Sequence, residues 1–433
     1  MGREYTAARD MTNAELALHV FLLLLAILAA CKVVGVIARR LGQAQVIAEM
    51  VTGFLLGPSL LGWAAPDISA YLFRPQVMPV VYGIAQIALT LYMFTVGLEF
   101  ESGLLRRSLK QAAAVSLTGI LAPFALGIGA AILLHGTGGF FAPSLTVAQA
   151  ALFMGASLSI TAFPVMARII HERGLTGTAI GTMALAAGAM DDVAAWLIFA
   201  VVVASFKGDV SVAVIAFAGA FAYVAVVFAI VRPYLRRLAA DAEAAGEVSQ
   251  RVLGTVLMLL MAGAWFTDLV GVHSVFGAFI LGTAMPRGLL ARELQRLIGP
   301  LTLGLFIPLF FVYSGLHTSV GLVDTPALWL TTVAIFGIAC LGKGVACWLA
   351  ARLNGATQAE ALGIGTLMNA RGMMELILLN IGRERGLITP TLFTILVLMT
   401  LATTLMATPL FGLLYRPASA TAIDDDAAAV RGA

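Results

Sequence analysis

The chain has 433 residues, of which 61% are hydrophobic and 11% are charged, and its formal net charge is +3. Soluble proteins carry about 25% charged residues, so this composition excludes a soluble enzyme and a disordered chain. Lys and Arg form no long basic stripe, so nucleic-acid binding is not expected. The composition is instead typical of a membrane protein. A transmembrane span with its loop takes about 30 residues, so the chain is long enough for about a dozen spans.

Apolar runs of about 20 residues recur along the chain and predict transmembrane helices rather than the alternating strands of a barrel. A backbone in lipid must pair its own polar groups, which a helix does within one segment. We predict an all-α polytopic membrane protein with about thirteen helices, over residues 15–37, 45–62, 78–99, 110–135, 147–171, 178–204, 210–232, 250–267, 271–286, 299–316, 327–350, 358–382 and 388–412.

The distribution of basic residues orients these helices. Loops that follow odd-numbered helices carry 15 Lys and Arg residues, whereas loops that follow even-numbered helices carry four. Basic residues concentrate in cytoplasmic loops. The sequence therefore predicts an external N-terminus and a cytoplasmic C-terminus in a bacterial-type inner cell membrane.

Two pairs of similar segments occur in the same order in the two halves of the chain. GFLLGPSLLG at 53–62 resembles GAFILGTAMP at 277–286, and LYMFTVGLE at 91–99 resembles LFFVYSGLH at 309–317. Chance similarity between small-residue helices is the competing interpretation. A true repeat with an odd number of helices from one unit to the next would be inverted, which is typical of secondary transporters.

The repeat divides the chain into predicted units. They are an external tail over 1–14, a first six-helix repeat over 15–204, a linker helix and cytoplasmic loop over 205–249, a second inverted six-helix repeat over 250–412, and a short disordered cytoplasmic tail over 413–433.

Helices 5 and 12 correspond in this repeat, and both contain residues that interrupt a helix. Thr161 and Pro164 lie in mid-membrane in helix 5, and Asn369, Arg371 and Gly372 lie at comparable depth in helix 12. Pro removes a backbone donor and Gly loosens a helix. Paired interruptions in corresponding segments indicate the binding site of a transporter.

Three charged residues lie deep in apolar helices, where an ionised side chain is costly and usually functional. Asp191 and Asp192 are at the centre of helix 6, and Lys343 is in helix 11. Neighbouring side chains on a helix diverge by about 100°, so the two carboxylates cannot serve one ligand equally. We predict that Asp191 pairs with Lys343 and that Asp192 binds the ion; a solvated loop pair is the weaker interpretation.

Other ionisable residues have simpler explanations. Arg371 and Glu375 are four residues apart and can pair on one helix face, which favours a structural role over direct transport. Glu49 lies beside a glycine run, where packing or gating is the expected role. His273 is expected to be a polar helix cap rather than a pH sensor.

Six motifs follow one another through nearly the whole chain: FTVGLE at 94–99, SITAFPV at 159–165, AMDDVAAW at 189–196, GVHSVFGAF at 271–279, FIPLFFVYSGL at 306–316 and MNARGMMELILLNIG at 368–382. Together they resemble the monovalent cation:proton antiporter-2 family, in particular its Kef-like and plant cation/H⁺ exchanger branch. The resemblance implies a sodium/hydrogen-exchanger-like protein, a homodimer with a dimerisation (scaffold) domain and a core domain. The core would contain two crossed broken helices.

The resemblance also implies roles for single residues. Asp192 would be the ion- and proton-binding aspartate, Thr161 and Asn369 would lie at the helix breaks, and Lys343 would be the core lysine. We expect a monovalent cation, Na⁺ or K⁺, at Asp192 and Thr161, exchanged for H⁺ by alternating access, with no cofactor. Many relatives have Asn or Gln where this chain has Asp191, which leaves the stoichiometry open. No fused regulatory domain is expected.

Two other classes of protein use polar residues in the membrane. A passive channel needs a repeated filter motif or subunit symmetry, and the filter sequence TVGYG does not occur. An intramembrane aspartyl protease needs two carboxyls that share a proton. Here the two acids are adjacent on one helix, without a GxGD segment. The sequence thus favours an antiporter over a channel and over an enzyme.

Overall fold

A computed structural model describes residues 11–43, 45–99, 102–175, 178–207, 210–316 and 320–415. Most of the predicted tails, over 1–14 and 413–433, lies outside the described residues. Within the described residues, the regular structure is helical apart from one isolated β-bridge between Phe141 and Ile388.

The described residues of the first half of the chain form nine α-helices. They are α1 (Asn13–Arg40), α2 (Gln45–Leu56), α3 (Leu61–Ala64), α4 (Pro66–Leu72), α5 (Met78–Glu99), α6 (Ser102–Thr137), α7 (Val147–Ser159), α8 (Phe163–Glu172) and α9 (Ala179–Lys207).

The second half continues with α10 (Val210–Val226), α11 (Arg232–Ala245), α12 (Gln250–Leu269), α13 (Ser274–Ala284), α14 (Leu289–Leu301), α15 (Ile307–Gly315), α16 (Pro326–Cys340), α17 (Ala346–Leu353), α18 (Gln358–Met368), α19 (Met373–Glu384) and α20 (Pro390–Leu414). π-Helical turns join α10 to α11 (Val227–Val231), α14 to α15 (Thr302–Phe306) and α16 to α17 (Leu341–Val345), and a 3₁₀ turn covers Val320–Leu322.

Ten of the described helical segments are long and apolar enough to cross a membrane, and α7 and α13 are shorter apolar helices. The chain is therefore an all-helical multi-pass membrane protein, as the sequence predicts. The exact count of thirteen spans stays a prediction, as do the repeat and the domain boundaries.

The predicted end of helix 7 at residue 232 differs from the structure, in which α11 continues the helical path to Ala245. The sequence of α11, RPYLRRLAADAEAA, is rich in strong helix formers, and Leu235, Ala239 and Ala242 form its buried side. Gly246 then ends the helix with a φ of 72°, a conformation that glycine adopts without a steric penalty.

Glycines bring two pairs of helices into close contact. A Cβ atom added at Gly97 of α5 would lie 2.9 Å from the Cα atom of Gly282 in α13. A Cβ atom added at Gly53 of α2 would lie 2.8 Å from the Cα atom of Val312 in α15. Small residues allow backbones to approach in this way in membranes. A separate group of helices, α6, α7, α9 and α17, packs together, and α9 carries the buried acids Asp191 and Asp192.

Candidate functional site

Two interrupted helices meet in the interior of the protein. The structure divides predicted helix 5 into α7 and α8 and predicted helix 12 into α18 and α19. The two breaks touch, because the backbone N–H of Ala162 donates a hydrogen bond of 3.0 Å to the carbonyl of Ala370. Each break leaves backbone groups without helical partners, so this crossing brings free carbonyls and N–H groups into an apolar region.

The residues that interrupt the helices lie at the two breaks. Pro164 is the second residue of α8, where a missing N–H costs no helical hydrogen bond. Gly372 immediately precedes α19, and a Cβ atom there would lie 3.2 Å from Val165 Cγ2 and 3.4 Å from Ala162 Cβ. The close approach of the two breaks therefore leaves little room for a side chain at position 372.

Arg371 joins the two broken helices and is fully buried. Its guanidinium donates hydrogen bonds to the carbonyls of Ser157 at 3.1 Å and Leu158 at 2.7 Å. These carbonyls belong to the last turn of α7, where a cation is favourable. One Arg371 nitrogen also lies 3.7 Å from Glu375 Oε2. This geometry supports the structural interpretation of the Arg371–Glu375 pair.

Lys343 lies in the π-helical turn between α16 and α17 and is fully buried. Its Nζ atom is 3.0 Å from Asp191 Oδ2 and also donates a hydrogen bond to the carbonyl of Ser159, the last residue of α7. The structure thus brings Lys343 together with the carboxylate that the sequence suggests as its partner. π-Helical turns are frequent at functional sites.

Asp191 has hydrogen-bond donors at both carboxylate oxygens. The hydroxyl of Thr161 donates to Oδ2 at 2.5 Å, and the hydroxyl of Ser116 in α6 donates to Oδ1 at 2.6 Å. Sequence reasoning missed Ser116, because one serine in an apolar helix carries no motif. The only feature of the sequence that points to Ser116 is that it is a polar residue in a long apolar helix. Other serines in this chain have the same feature, so it does not single out Ser116.

Asp192 differs sharply from its neighbour. Its side chain is 1% exposed, and no group among the described residues forms a hydrogen bond with either carboxylate oxygen. The sequence suggests Thr161 and Asp192 as ligands of one cation, yet the structure places the Thr161 hydroxyl on Asp191. The divergence of adjacent side chains on a helix explains why one hydroxyl at the break serves only one of the two acids.

Asn369 lies at the second break and is 5% exposed. Its Nδ2 atom donates a long hydrogen bond of 3.4 Å to the carbonyl of Cys340. Its Oδ1 atom is buried and accepts no hydrogen bond from the described residues. This oxygen is available as a ligand, since an amide oxygen can bind a hard cation.

The remaining ionisable residues named from the sequence lie elsewhere. Glu49 is 1% exposed within α2. His273 precedes α13, and its Nδ1 atom accepts a long hydrogen bond of 3.5 Å from the N–H of Val275. The prediction that His273 is a helix cap is therefore confirmed. No group of three or more His, Cys, Asp or Glu side chains able to hold a metal ion occurs in the described ranges.

Comparisons with known proteins agree with this architecture. Residues 22–415 match the family described as sodium/hydrogen exchanger, transmembrane. The chain is 34% identical to the Na⁺/H⁺ antiporter NhaS4 of Synechocystis, over 90% of this chain and 96% of that protein. The fold is similar to that of the sodium proton antiporter MjNhaP1 from Methanocaldococcus jannaschii, with a TM-score of 0.61, 16% identity and coverage of 91% of this chain and 96% of the other.

Longer eukaryotic relatives match as well. The chain is 37% identical to the cation/H⁺ antiporter 17 of Arabidopsis thaliana, over 89% of this chain and 47% of the plant protein. It is 30% identical to the K⁺/H⁺ antiporter 1 of Saccharomyces cerevisiae, over 93% of this chain and 48% of the yeast protein. The chain thus spans about half the length of these eukaryotic relatives.

Proposed function

The chain belongs to the transmembrane sodium/hydrogen exchanger family, and on that premise we propose that it exchanges a monovalent cation, Na⁺ or K⁺, for protons by alternating access. Relatives named for Na⁺/H⁺ and for K⁺/H⁺ antiport both match it, so either cation remains a candidate. Asp192 is the residue that binds cation and proton in turn.

The contrast between the two adjacent acids carries this proposal. Asp191 accepts hydrogen bonds from two hydroxyls and an ammonium, whereas Asp192 is equally buried and has no hydrogen-bond donor among the described residues. An ionised carboxylate without partners is costly in an apolar interior. Burial without a partner therefore favours neutralisation of Asp192, which either a proton or a monovalent cation can supply.

The other ligands are expected to be oxygen atoms near the helix breaks. Na⁺ and K⁺ favour oxygen, and carbonyls in irregular backbone coordinate such ions in transporters. We assign Asp192 as the central ligand, and Asn369 Oδ1 and carbonyls of the break after α7 as candidate ligands. Thr161 contributes through Asp191, since its hydroxyl already donates there.

Exchange follows if the site moves across the membrane only when Asp192 is neutral. Moving an uncompensated charge through the bilayer costs at least about 2.5 kcal/mol and more without hydration. A loaded carboxylate, holding either a proton or a cation, avoids this cost. An empty ionised site is held in place, so cation flux in one direction is coupled to proton flux in the other.

We further propose a core of α7–α9 and α18–α20 that moves against a scaffold containing α2, α5, α13 and α15. The repeat matches α2 with α13 and α5 with α15. The contact of α5 with α13 in the structure therefore corresponds to the contact of α15 with α2, and both contacts are present. This correspondence supports an inverted repeat. In a homodimer, the scaffold would form the interface between the two subunits. The N-terminus would lie on the outer side of the membrane. Single-cysteine cross-linking in a variant lacking Cys31, Cys340 and Cys347 tests this arrangement.

The decisive experiment uses Asp192→Asn reconstituted in proteoliposomes. Asn keeps the side-chain volume but cannot exchange a proton for a cation, so dissipation of a pH gradient driven by Na⁺, K⁺ or Li⁺ should fall to the level of empty liposomes. The protein should still elute as a monodisperse species. Asp241→Asn, at an exposed acid of α11, is the matched control and should transport normally. Near-normal exchange by Asp192→Asn would reject the assignment.

A further inference from the structure

A polar contact joins the connection between α1 and α2 to helices α8 and α20. Gln43, in this connection, donates a hydrogen bond of 3.0 Å from Nε2 to the carbonyl of Leu405 in α20. Arg173, which follows α8, donates through Nη2 to the carbonyl of Gly42 at 3.3 Å and to that of Thr408 at 3.5 Å. Helix α1 packs against α2 and α15. The contact therefore joins the proposed scaffold to the proposed core.

A proline in α20 explains why the carbonyl of Leu405 can accept this bond. In a regular α-helix, the carbonyl of residue 405 accepts a hydrogen bond from the N–H of residue 409. Pro409 lies inside α20 and has no N–H, so the carbonyl of Leu405 lacks its helical donor. The side chain of Gln43 supplies a donor in its place.

The end of α1 holds Gln43 in position. The N–H of Gln43 donates to the carbonyl of Ala38 at 2.9 Å, and the N–H of Gly42 donates to that of Arg39 at 3.0 Å. With a φ of 70° at Gly42, these bonds form a Schellman motif, a common end of a helix. The Arg39 guanidinium also donates to the Gln45 side chain at 3.3 Å, which ties the start of α2 to the end of α1.

The contact is only partly satisfied, and this favours its opening. Gln43 Oε1 and Thr408 Oγ1 are buried and have no hydrogen-bond partner among the described residues, which costs free energy. If Gln43 separates from α20, water can reach both atoms and offset part of the lost bond. The two Arg173 bonds are long and therefore weak. Opening of the contact thus costs less than the loss of a fully satisfied polar contact.

Apolar side chains also join the two units. Phe163 of α8 packs against Phe279 of α13, with ring centroids 5.9 Å apart. Burial of apolar surface has little directional preference, so such surfaces can slide past one another. A hydrogen bond requires a narrow range of distance and angle. The bond from Gln43 to Leu405 therefore selects one position of the core relative to the scaffold.

We propose that Gln43, Arg173 and the carbonyl of Leu405 form a latch that holds the core in the position described above and opens in each transport cycle. This inference rests on the proposed function and adds the contact that opposes the movement. Helix α8 begins at the first break and ends next to Arg173, so a shift of the ion site moves Arg173 with it. Loss of one hydrogen bond should shift the equilibrium between the two positions by about two- to tenfold.

The first experiment measures the position of the core. Spin labels at Leu41→Cys and Leu413→Cys, at exposed residues near the ends of α1 and α20, report the distance between the two units. Excess unlabelled protein suppresses distances between subunits, and the variants lack Cys31, Cys340 and Cys347. In Gln43→Leu, the distance expected from this structure should be less populated than in wild type, with a two- to tenfold change in ratio.

A second substitution weakens the same bond from its other end. Pro409→Ala adds an N–H that satisfies the carbonyl of Leu405 within α20, and it needs no change at Gln43. It should shift the distance ratio in the same direction. The double variant should shift it less than the sum of the two single effects, because both substitutions remove one hydrogen bond. An unchanged ratio in Gln43→Leu, or additive shifts in the double variant, would overturn the latch.

Gln111→Leu is the matched control. Gln111 Nε2 donates to the carbonyl of Asn354 at 2.7 Å, a bond of the same type that joins α6 to the end of α17. These two helices belong to one packed group, so the substitution should leave the distance ratio as in wild type. An equal shift in Gln111→Leu would show that the effect is not specific to the latch.

Cross-linking tests whether the latch must open. A short reversible thiol cross-linker between Gln43→Cys and Leu405→Cys should stop cation-driven dissipation of a pH gradient, and a reducing agent should restore it. The same reagent between Ala142→Cys and Leu387→Cys, whose backbones share a hydrogen bond of 3.0 Å beside core helices, should leave exchange intact. Exchange by the cross-linked latch pair would overturn this inference. Wild type without cation-driven proton movement would instead overturn the proposed function, since the distances are measured without transport.

Discussion

The contact between α5 and α13 and the crossing of the two broken helices are both tight, but different forces hold them. Gly97 and Gly282 allow the first pair of backbones to touch, which is association by shape and dispersion. At the crossing, Arg371 and Lys343 donate to carbonyls that the breaks leave free. The first contact is therefore sensitive to added atoms, and the second to deleted polar groups.

Arg371→Leu should have the largest effect on stability, because it removes the donor from two buried carbonyls and the cation beside Glu375. Breaking one partner of a buried ionic contact costs about 3–5 kcal/mol, and we expect the upper part of that range. Thermal unfolding of purified protein in detergent measures the loss. Arg371→Lys retains the charge without the planar fork and should lie between wild type and Arg371→Leu.

Arg296→Leu is the control for the loss of a guanidinium. The Arg296 side chain is 70% exposed and pairs with Glu293 at 2.8 Å, and exposed pairs contribute at most about 1 kcal/mol. Similar destabilisation by Arg296→Leu and Arg371→Leu would show that burial at the crossing is not the cause.

The pair formed by Lys343 and Asp191 should show the next largest effect. Lys343→Gln leaves Asp191 with two hydroxyl donors, so the loss should lie in the lower part of about 3–5 kcal/mol. Asp191→Asn should cost a similar amount. The double variant should lose less than the sum by about 0.5–3 kcal/mol, which is typical of residues in contact. Additive losses in thermal unfolding would argue against the pairing.

Sequence patterns predicted the helical class and the positions where helices 5 and 12 are interrupted. Both depend on local features, because the length of an apolar run indicates a membrane helix and a Pro or Gly residue interrupts the helix in which it lies. The divergence of Asp191 and Asp192 also follows from helix geometry. The partner of each acid depends on how distant helices pack. No local rule links Ser116 to a residue 75 positions away, or assigns the Thr161 hydroxyl to Asp191 rather than Asp192.

The spacing of charged residues in the sequence also predicted only part of the contacts of Arg371. Its spacing from Glu375 predicts a contact within one helix, which the structure shows at 3.7 Å. The shorter contacts, to Ser157 and Leu158, join two segments more than two hundred residues apart. They arise because the break exposes the end of α7, and a sequence read one helix at a time does not show which side chain reaches that end.

The smallest effect is expected at the glycine contact, where Gly282→Ala adds a methyl group within 2.9 Å of Gly97 Cα. Overpacking costs about 1–3 kcal/mol, so thermal stability should fall, while exchange per folded molecule persists because no charged group changes. Gly83→Ala on α5 is the matched control, since its added Cβ meets nothing within 4 Å and alanine favours a helix over glycine by up to about 1 kcal/mol. An equal change in stability for both substitutions would show that the close backbone approach at Gly282 does not determine the effect. Loss of exchange in well-folded Gly282→Ala would instead place α5 and α13 in the moving core.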